Sequence, residues 1–299
     1  MFLKNVVLAQ NIISDRYMEV FTEVAPLQDY LQTKGHYKKD IGLVPTMGAL
    51  HEGHISLIKQ SMNENKLTVC SIYVNPTQFN RQSDLENYPR KLNDDIAFLE
   101  KNGCDILFAP SDKGMYPSLP LVKLGFGHLE RIMEGEFREG HFNGVGVIVS
   151  KLLNIINPGR AYFGQKDIQQ FFIIKQLVKD LSFQVELVKV PTVRENDGLA
   201  MSSRNLRLSP EHRSKAPLLH QSLVSASKML KNGTSIDTTN NYVRELFLKD
   251  NDFQLEYFEV VSSESLEILD QKPEKGTVIL CIAAYLGEIR LIDNIFLIL

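Results

Sequence analysis

Residues 44–61 read VPTMGALHEGHISLIKQS, and this stretch decides the fold. An apolar run, Ile41 to Val44, leads into Pro45-Thr46-Met47-Gly48, and helical periodicity begins close to Gly53. A strand feeding a helix in this way is the start of a βαβ unit. His51 and His54 fall at the junction. In an open parallel sheet such a junction lies at the carboxyl end of a strand, where ligands bind, and a helix start offers free N–H groups and a positive dipole to an anion. Gly48 and Gly53 suit that reading, because a residue without Cβ lets the backbone approach a phosphate.

His51-Glu52-Gly53-His54 also invites a zinc reading, since His-Glu-x-x-His on a helix holds that metal with histidines four residues apart. Here they are three apart, with Gly53 between them and no cysteine or third histidine nearby. Phosphate binding therefore leads, packing alone comes second and zinc third.

Outward from this stretch, Met18 to about residue 190 alternates short β-rich runs with helical periodicity. That pattern predicts an α/β, Rossmann-like parallel-sheet domain. The expected strands are a short one from Met18, then 41–45, 67–74, 105–109, 160–163 and 184–190. The expected helices are 26–33, 55–63, 92–101, 144–156 and 168–181, with Gly103 as a C-terminal cap and Asp167 as an N-cap. After Val193 the pattern changes to a polar loop, helices over 210–230 and 237–248, and strands over 255–261, 277–285 and 288–293. The last two form a hairpin through Leu286-Gly287. The expected organisation is residues 18–192 as the nucleotide- and substrate-binding domain and 193–299 as a smaller α+β domain able to close over a triphosphate. Residues 1–17 precede a second methionine, Met18, and read as an extension outside the fold, a reading that deletion of 1–17 would test.

With 33 Lys+Arg against 36 Asp+Glu, the net charge of −3 gives no general attraction to nucleic acid, although a small anionic ligand remains compatible. No apolar run reaches the ~20 residues that span a bilayer, so a soluble intracellular protein is expected. Cys70, Cys104 and Cys281 each lie in an apolar stretch, as reduced core thiols do.

Three further polar motifs follow strands or the domain junction. Gly164-Gln165-Lys166-Asp167 repeats the strand, glycine, helix logic: Lys166 would bring a compact charge to phosphate oxygens and Gln170, one turn on, an amide. Met201-Ser202-Ser203-Arg204 lies in the interdomain loop, and Asn75-Pro76-Thr77-Gln78 follows the third strand of the series. Each has a bland reading as a surface loop, and their joint placement is the stronger signal.

Together PTMGALHEGH, YVNPTQF, REGHFNGV, YFGQKDIQQ and PTVRENDGLAMSSRN resemble the pantoate–β-alanine ligase family, in the same order and spacing from about Met18 to the C-terminus. That family belongs to the nucleotidyltransferases with a His-x-Gly-His signature. The resemblance implies ATP-dependent condensation of (R)-pantoate with β-alanine through a pantoyl-adenylate, with Mg²⁺, in a cytoplasmic homodimer, and no nucleic-acid or membrane partner. Carried over by position, it implies an ATP site from Met47, Gly48, Ala49, Leu50, His51, Glu52, Gly53 and His54, with His54 the family's proton donor. Gly164, Gln165, Lys166 and Asp167, then Val193, Met201, Ser202, Ser203 and Arg204, complete that site. His51, His54, Lys166 and Arg204 are the expected catalytic donors. Gln78 would meet both substrates and Gln170 pantoate, with Arg138 and His141 near the reacting groups and Asp94 and Asp95 near the metal. One departure is visible: Asn143-Gly144-Val145-Gly146-Val147 carries more glycine than the family's usual helix start. A related adenylyltransferase is the alternative, disfavoured because Gln78 and Gln170 suit an uncharged hydroxyl-bearing acid. A non-catalytic nucleotide-binding module would not need cations from three motifs.

Overall fold

The structure, a computed structural model, describes residues 17–33 and 37–299. The expectation for residues 1–17 therefore falls almost wholly outside the described residues.

Six strands, β1 (Glu19–Phe21), β2 (Ile41–Thr46), β3 (Leu67–Ile72), β4 (Ile106–Phe108), β5 (Arg160–Gly164) and β6 (Glu186–Val190), form one parallel sheet in the order β1-β4-β3-β2-β5-β6. The apolar residues of the central strands are buried on both faces, as a parallel sheet requires. Leu43, Val69, Ile106 and Phe163 face a core built with the helices Val24–Thr33, His141–Ile156 and Ile168–Asp180. Their neighbours Val44, Cys70, Leu107 and Tyr162 face the helices Glu52–Glu64 and Leu92–Lys101 on the other side. Period-2 alternation thus sorts one continuous apolar run into two cores. From β2 the chain winds one way to β3 and β4, then returns to place β5 on the other side of β2. The point where the order reverses lies between β2 and β5, and that is where an open sheet of this kind makes its ligand crevice.

A second, antiparallel sheet holds β7 (Phe253–Ser262), β8 (Thr277–Leu286) and β9 (Ile289–Ile298). One face, with Val260, Leu280 and Ile282, packs on the helices Leu218–Lys231 and Ile236–Leu248. The opposite face, with Val261, Ile279 and Cys281, joins the core of the large sheet. Among the described residues no helix is long and apolar enough to cross a membrane.

Differences from the sequence reading have local causes. The helix expected over 210–230 is two, Pro210–Lys215 and Leu218–Lys231, because Pro217 supplies no N–H to continue the first. β9 runs five residues past Asp293, since Asp293 and Asn294 spend their polar groups on side-chain and backbone partners rather than on a turn. The helix expected from Gly144 starts at His141, after Gly140 in a left-handed conformation. Gly103 does cap Leu92–Lys101 with φ +77°, whereas Asp167 makes no side-chain cap bond.

Candidate active site

A cavity of about 240 Å³ opens at the β2/β5 reversal and is closed over by the loop before Arg204 and by β9. The structure brings to its walls Met47, His51, Gly53, His54, Gln78, Arg138, His141, Gly164, Lys166, Asp167, Gln170, Val193, Met201, Ser202, Ser203 and Arg204, residues from all of the motifs.

His51 is the N-cap of the helix Glu52–Glu64. Its Nδ1 accepts the Gly53 N–H at 3.2 Å, while His54 Nδ1 accepts the His51 N–H at 3.2 Å, a capping box made of two histidines. Acceptance at Nδ1 leaves the ring proton on Nε2 in each neutral ring. A Cβ on residue 53 would come within 2.8 Å of the His51 ring. Gly53 is therefore required first by that ring, and only indirectly by a phosphate. Burial, then the nearby Lys166 charge, lowers the His51 pKa to about 4, and burial with His51 and Lys166 holds that of His54 well below its ordinary value. At neutral pH both are uncharged N–H donors.

At the end of β5, Gly164 has open space where a Cβ would sit, and Lys166 lies 3.4 Å from Asp167. Asn294 of β9 donates to the carbonyls of Gln165 and Lys166 at 3.0 and 2.9 Å, so the second sheet holds the lysine-bearing turn in place. Arg194, also beside this turn, pairs with Asp293 through two bonds of 2.6 and 2.9 Å.

On the opposite wall Gln78 is buried and donates from Nε2 to Met47 Sδ at 2.7 Å. Asn75 steers it, donating Nδ2 to Gln78 Oε1 and to the Gly144 carbonyl, while its Oδ1 accepts from Tyr116 and Thr77. The Gln78 carbonyl accepts from His141 Nδ1 at 2.7 Å, so the other nitrogen of that ring is free to accept from Arg138 at 3.1 Å. Burial and Arg138 hold the His141 pKa near 3. The extra glycines are explained here. A Cβ on residue 144 would strike the Thr77 carbonyl, and one on residue 146 would meet the Phe126 ring at 2.8 Å; the helix lies directly on the turn that carries Gln78.

Sequence reasoning missed Glu134, a buried carboxylate on the cavity wall. It pairs with Arg290 of β9 at 2.7 and 2.8 Å, accepts from Tyr257 at 2.8 Å and has Arg138 at 3.6 Å. Burial alone would raise its pKa, but the charge and hydrogen bonds of Arg290 prevail and bring it to about 2. The available signal was a single arginine in the apolar strand Ile289–Ile298. Tyr88, whose hydroxyl lies 3.5 Å from Ser203, was missed as well.

Several expected residues do not line the cavity. Glu52 is exposed, Gln165 turns its amide to Asn294 at 3.3 Å, and Gly48, Ala49 and Leu50 form a turn behind the wall. The acidic pair is split. Asp94 is exposed, whereas Asp95 is buried with both oxygens occupied by the N–H groups of Ala49 and Leu50. Among the described residues no three His, Cys, Asp or Glu side chains converge to hold a metal ion. These side chains therefore do not fit a protein-built metal site.

A doubly wound sheet with anion donors from two adjacent strand ends at its reversal point defines a Rossmann-like nucleotide-handling protein. The sequence model of the pantoate–β-alanine ligase family matches residues 19–296. The chain is 43% identical over 279 residues to the pantothenate synthetase of Cytophaga hutchinsonii, covering 93% of this chain and 99% of that one, and 45% identical to that of Bacteroides fragilis, covering 93% and 98%. The crystal structure of pantothenate synthetase from Thermus thermophilus superposes with a TM-score of 0.86 at 39% identity, over 93% of this chain and 99% of that one. The pantoate–β-alanine ligase of Francisella tularensis, complexed with β-γ ATP and β-alanine, superposes with a TM-score of 0.74 at 34% identity, over 93% and 97%. The chain belongs to the pantoate–β-alanine ligase family.

Proposed function

We propose that this protein condenses (R)-pantoate with β-alanine at the expense of ATP, giving pantothenate, AMP and pyrophosphate through a pantoyl-adenylate. The observation that carries the reading is the meeting of His51, His54, Lys166 and Arg204 with Gln78 and Gln170 around one cavity.

A carboxylate is a poor electrophile, so the first step uses it as a nucleophile. A pantoate carboxylate oxygen attacks the α-phosphorus of ATP in line, and the bond to the pyrophosphate oxygen breaks. The protein has little covalent chemistry to supply; it positions the reactants and offsets the growing phosphate charge. Lys166 and Arg204 bring positive charge, and His51 and His54 bring N–H donors whose neutral state costs no proton transfer. Gln78, its orientation set by Asn75, and Gln170 suit the hydroxyls of pantoate. In the second step the neutral amine of β-alanine attacks the acyl carbon and AMP leaves. Arg138 offers the amino acid's carboxylate a cation apart from the phosphate donors. A divalent ion would be held by the nucleotide's own phosphates, where it would offset their charge.

The same reading carries a cytoplasmic homodimer. The exposed apolar side chains Leu119, Leu121 and Val122 supply a surface suited to a second copy, and light scattering should then give twice the 34.0 kDa chain mass. Incubation with ATP, pantoate and β-alanine tests the function: equimolar pantothenate and AMP support it, and AMP formed without pantothenate contradicts it.

A further inference from the structure

Asp95 lies behind the cavity wall, 3% exposed, in the first turn of the helix Leu92–Lys101. Its Oδ2 accepts the Ala49 N–H at 2.9 Å and its Oδ1 the Leu50 N–H at 2.7 Å. Those donors belong to the turn between β2 and the histidine-capped helix, and the turn is left-handed at two successive residues, Gly48 at φ +83° and Ala49 at φ +50°. Alanine occupies that region at a cost that the surroundings must offset.

We propose that Asp95 is a positioning residue for the ligase reaction: its carboxylate clamps the Gly48–Leu50 turn and thereby fixes where His51 and His54 present their Nε2 donors to the nucleotide. The proposal rests on the ATP-dependent reading above. Two converging N–H groups need two acceptor oxygens on one side chain, which only a carboxylate provides. Leu50 directly precedes His51, the N-cap, so a displaced Leu50 N–H displaces the capping box. The clamp is itself anchored, because Leu99 of the Asp95 helix packs in the same core as Ile55 and Ile58 of the histidine helix. It also accounts for the absence of Ala49 and Leu50 from the cavity wall, since their donors are already spent. A metal-ligand role for this carboxylate competes for the same oxygens.

In Asp95→Asn one oxygen remains and an NH₂ group faces the other N–H. The full-length variant is tested by steady-state pantothenate formation, varying ATP at saturating pantoate and β-alanine, and then Mg²⁺ at saturating ATP. The KM for ATP is expected to rise roughly ten- to a hundredfold, the scale of one hydrogen bond to a charged group, with the half-saturating Mg²⁺ concentration unchanged. An unchanged KM for ATP with only a lower kcat, as a loss of folded fraction gives, overturns the proposal, and so does a shifted Mg²⁺ requirement. Hydrogen exchange on the unsubstituted protein gives a second measurement. The Ala49 and Leu50 amides should exchange at least roughly a hundredfold slower than unprotected ones, and unprotected exchange overturns the clamp. A parent protein that makes no pantothenate defeats the ligase reading alone, because the exchange measurement still reports on Asp95.

Discussion

His51 and His54 cap one helix start in opposite directions, His51 Nδ1 accepting from Gly53 and His54 Nδ1 from the N–H of His51 itself, both at 3.2 Å. The consequence is chemical. Each ring spends Nδ1 on the backbone and keeps an Nε2–H for the cavity, so the pair can bind anionic oxygen without carrying charge.

Because burial and Lys166 hold the His51 pKa at about 4 against an ordinary 6.5, the unfolded chain binds more protons than the folded one between those values. Stability is then fully present above pH 6.5 and declines as the pH falls towards 4. Urea unfolding at pH 7 and pH 5 should show that decline, and His51→Gln should make it shallower.

Lys166→Ala should lower pantoate-dependent exchange of pyrophosphate into ATP by roughly 10²–10³, the usual loss on removing one preorganised donor to transition-state charge. Thermal unfolding should change little, since its close side-chain partner among the described residues is the exposed Asp167. Near-normal exchange in the variant removes Lys166 from the mechanism.

Glu134→Ala leaves Arg138 buried without its carboxylate and Arg290 with Glu256 alone, at 2.6 Å, so unfolding free energy should fall by about 3 kcal/mol, the lower end for a broken buried pair. The same carboxylate predicts an acid limb. Its pKa near 2 lies below the ordinary 4.5, so its stabilisation is present above 4.5 and is lost as the pH falls through that window. Denaturant titration of the two proteins at pH 7 and pH 3 should show a smaller difference at the lower pH.

Gly144→Ala drives a methyl group into the Thr77 carbonyl. The helix must withdraw from the turn that carries Gln78, at a cost of roughly 1–3 kcal/mol. The KM for pantoate should rise as the melting temperature falls, and a variant with parental values of both would show that the close approach is not needed.

Most of the large sheet was legible because its strands are apolar runs bounded by turn residues, and because the motifs holding His51, Gln78 and Lys166 each follow a strand. The helix Leu92–Lys101 was readable to the residue. What stayed hidden depends on partners far away in sequence. Glu134 and Arg290 are 156 residues apart, and nothing local marks either as half of a pair. Asp95 was expected with Asp94 near a metal, and only the fold shows that its oxygens face the turn after β2. Asp293-Asn294 looked like the end of a strand, since burial partners for such residues are invisible in a linear pattern. Gly144 stood out only as an extra glycine at a helix start, when it is where the helix meets the Thr77 carbonyl.

The central claim, that the cavity activates pantoate by adenylation, is tested most directly by ATP–pyrophosphate exchange on the purified protein in the absence of β-alanine. Label should enter ATP only when pantoate is present. Exchange that proceeds equally well without pantoate, or none with it, contradicts the account.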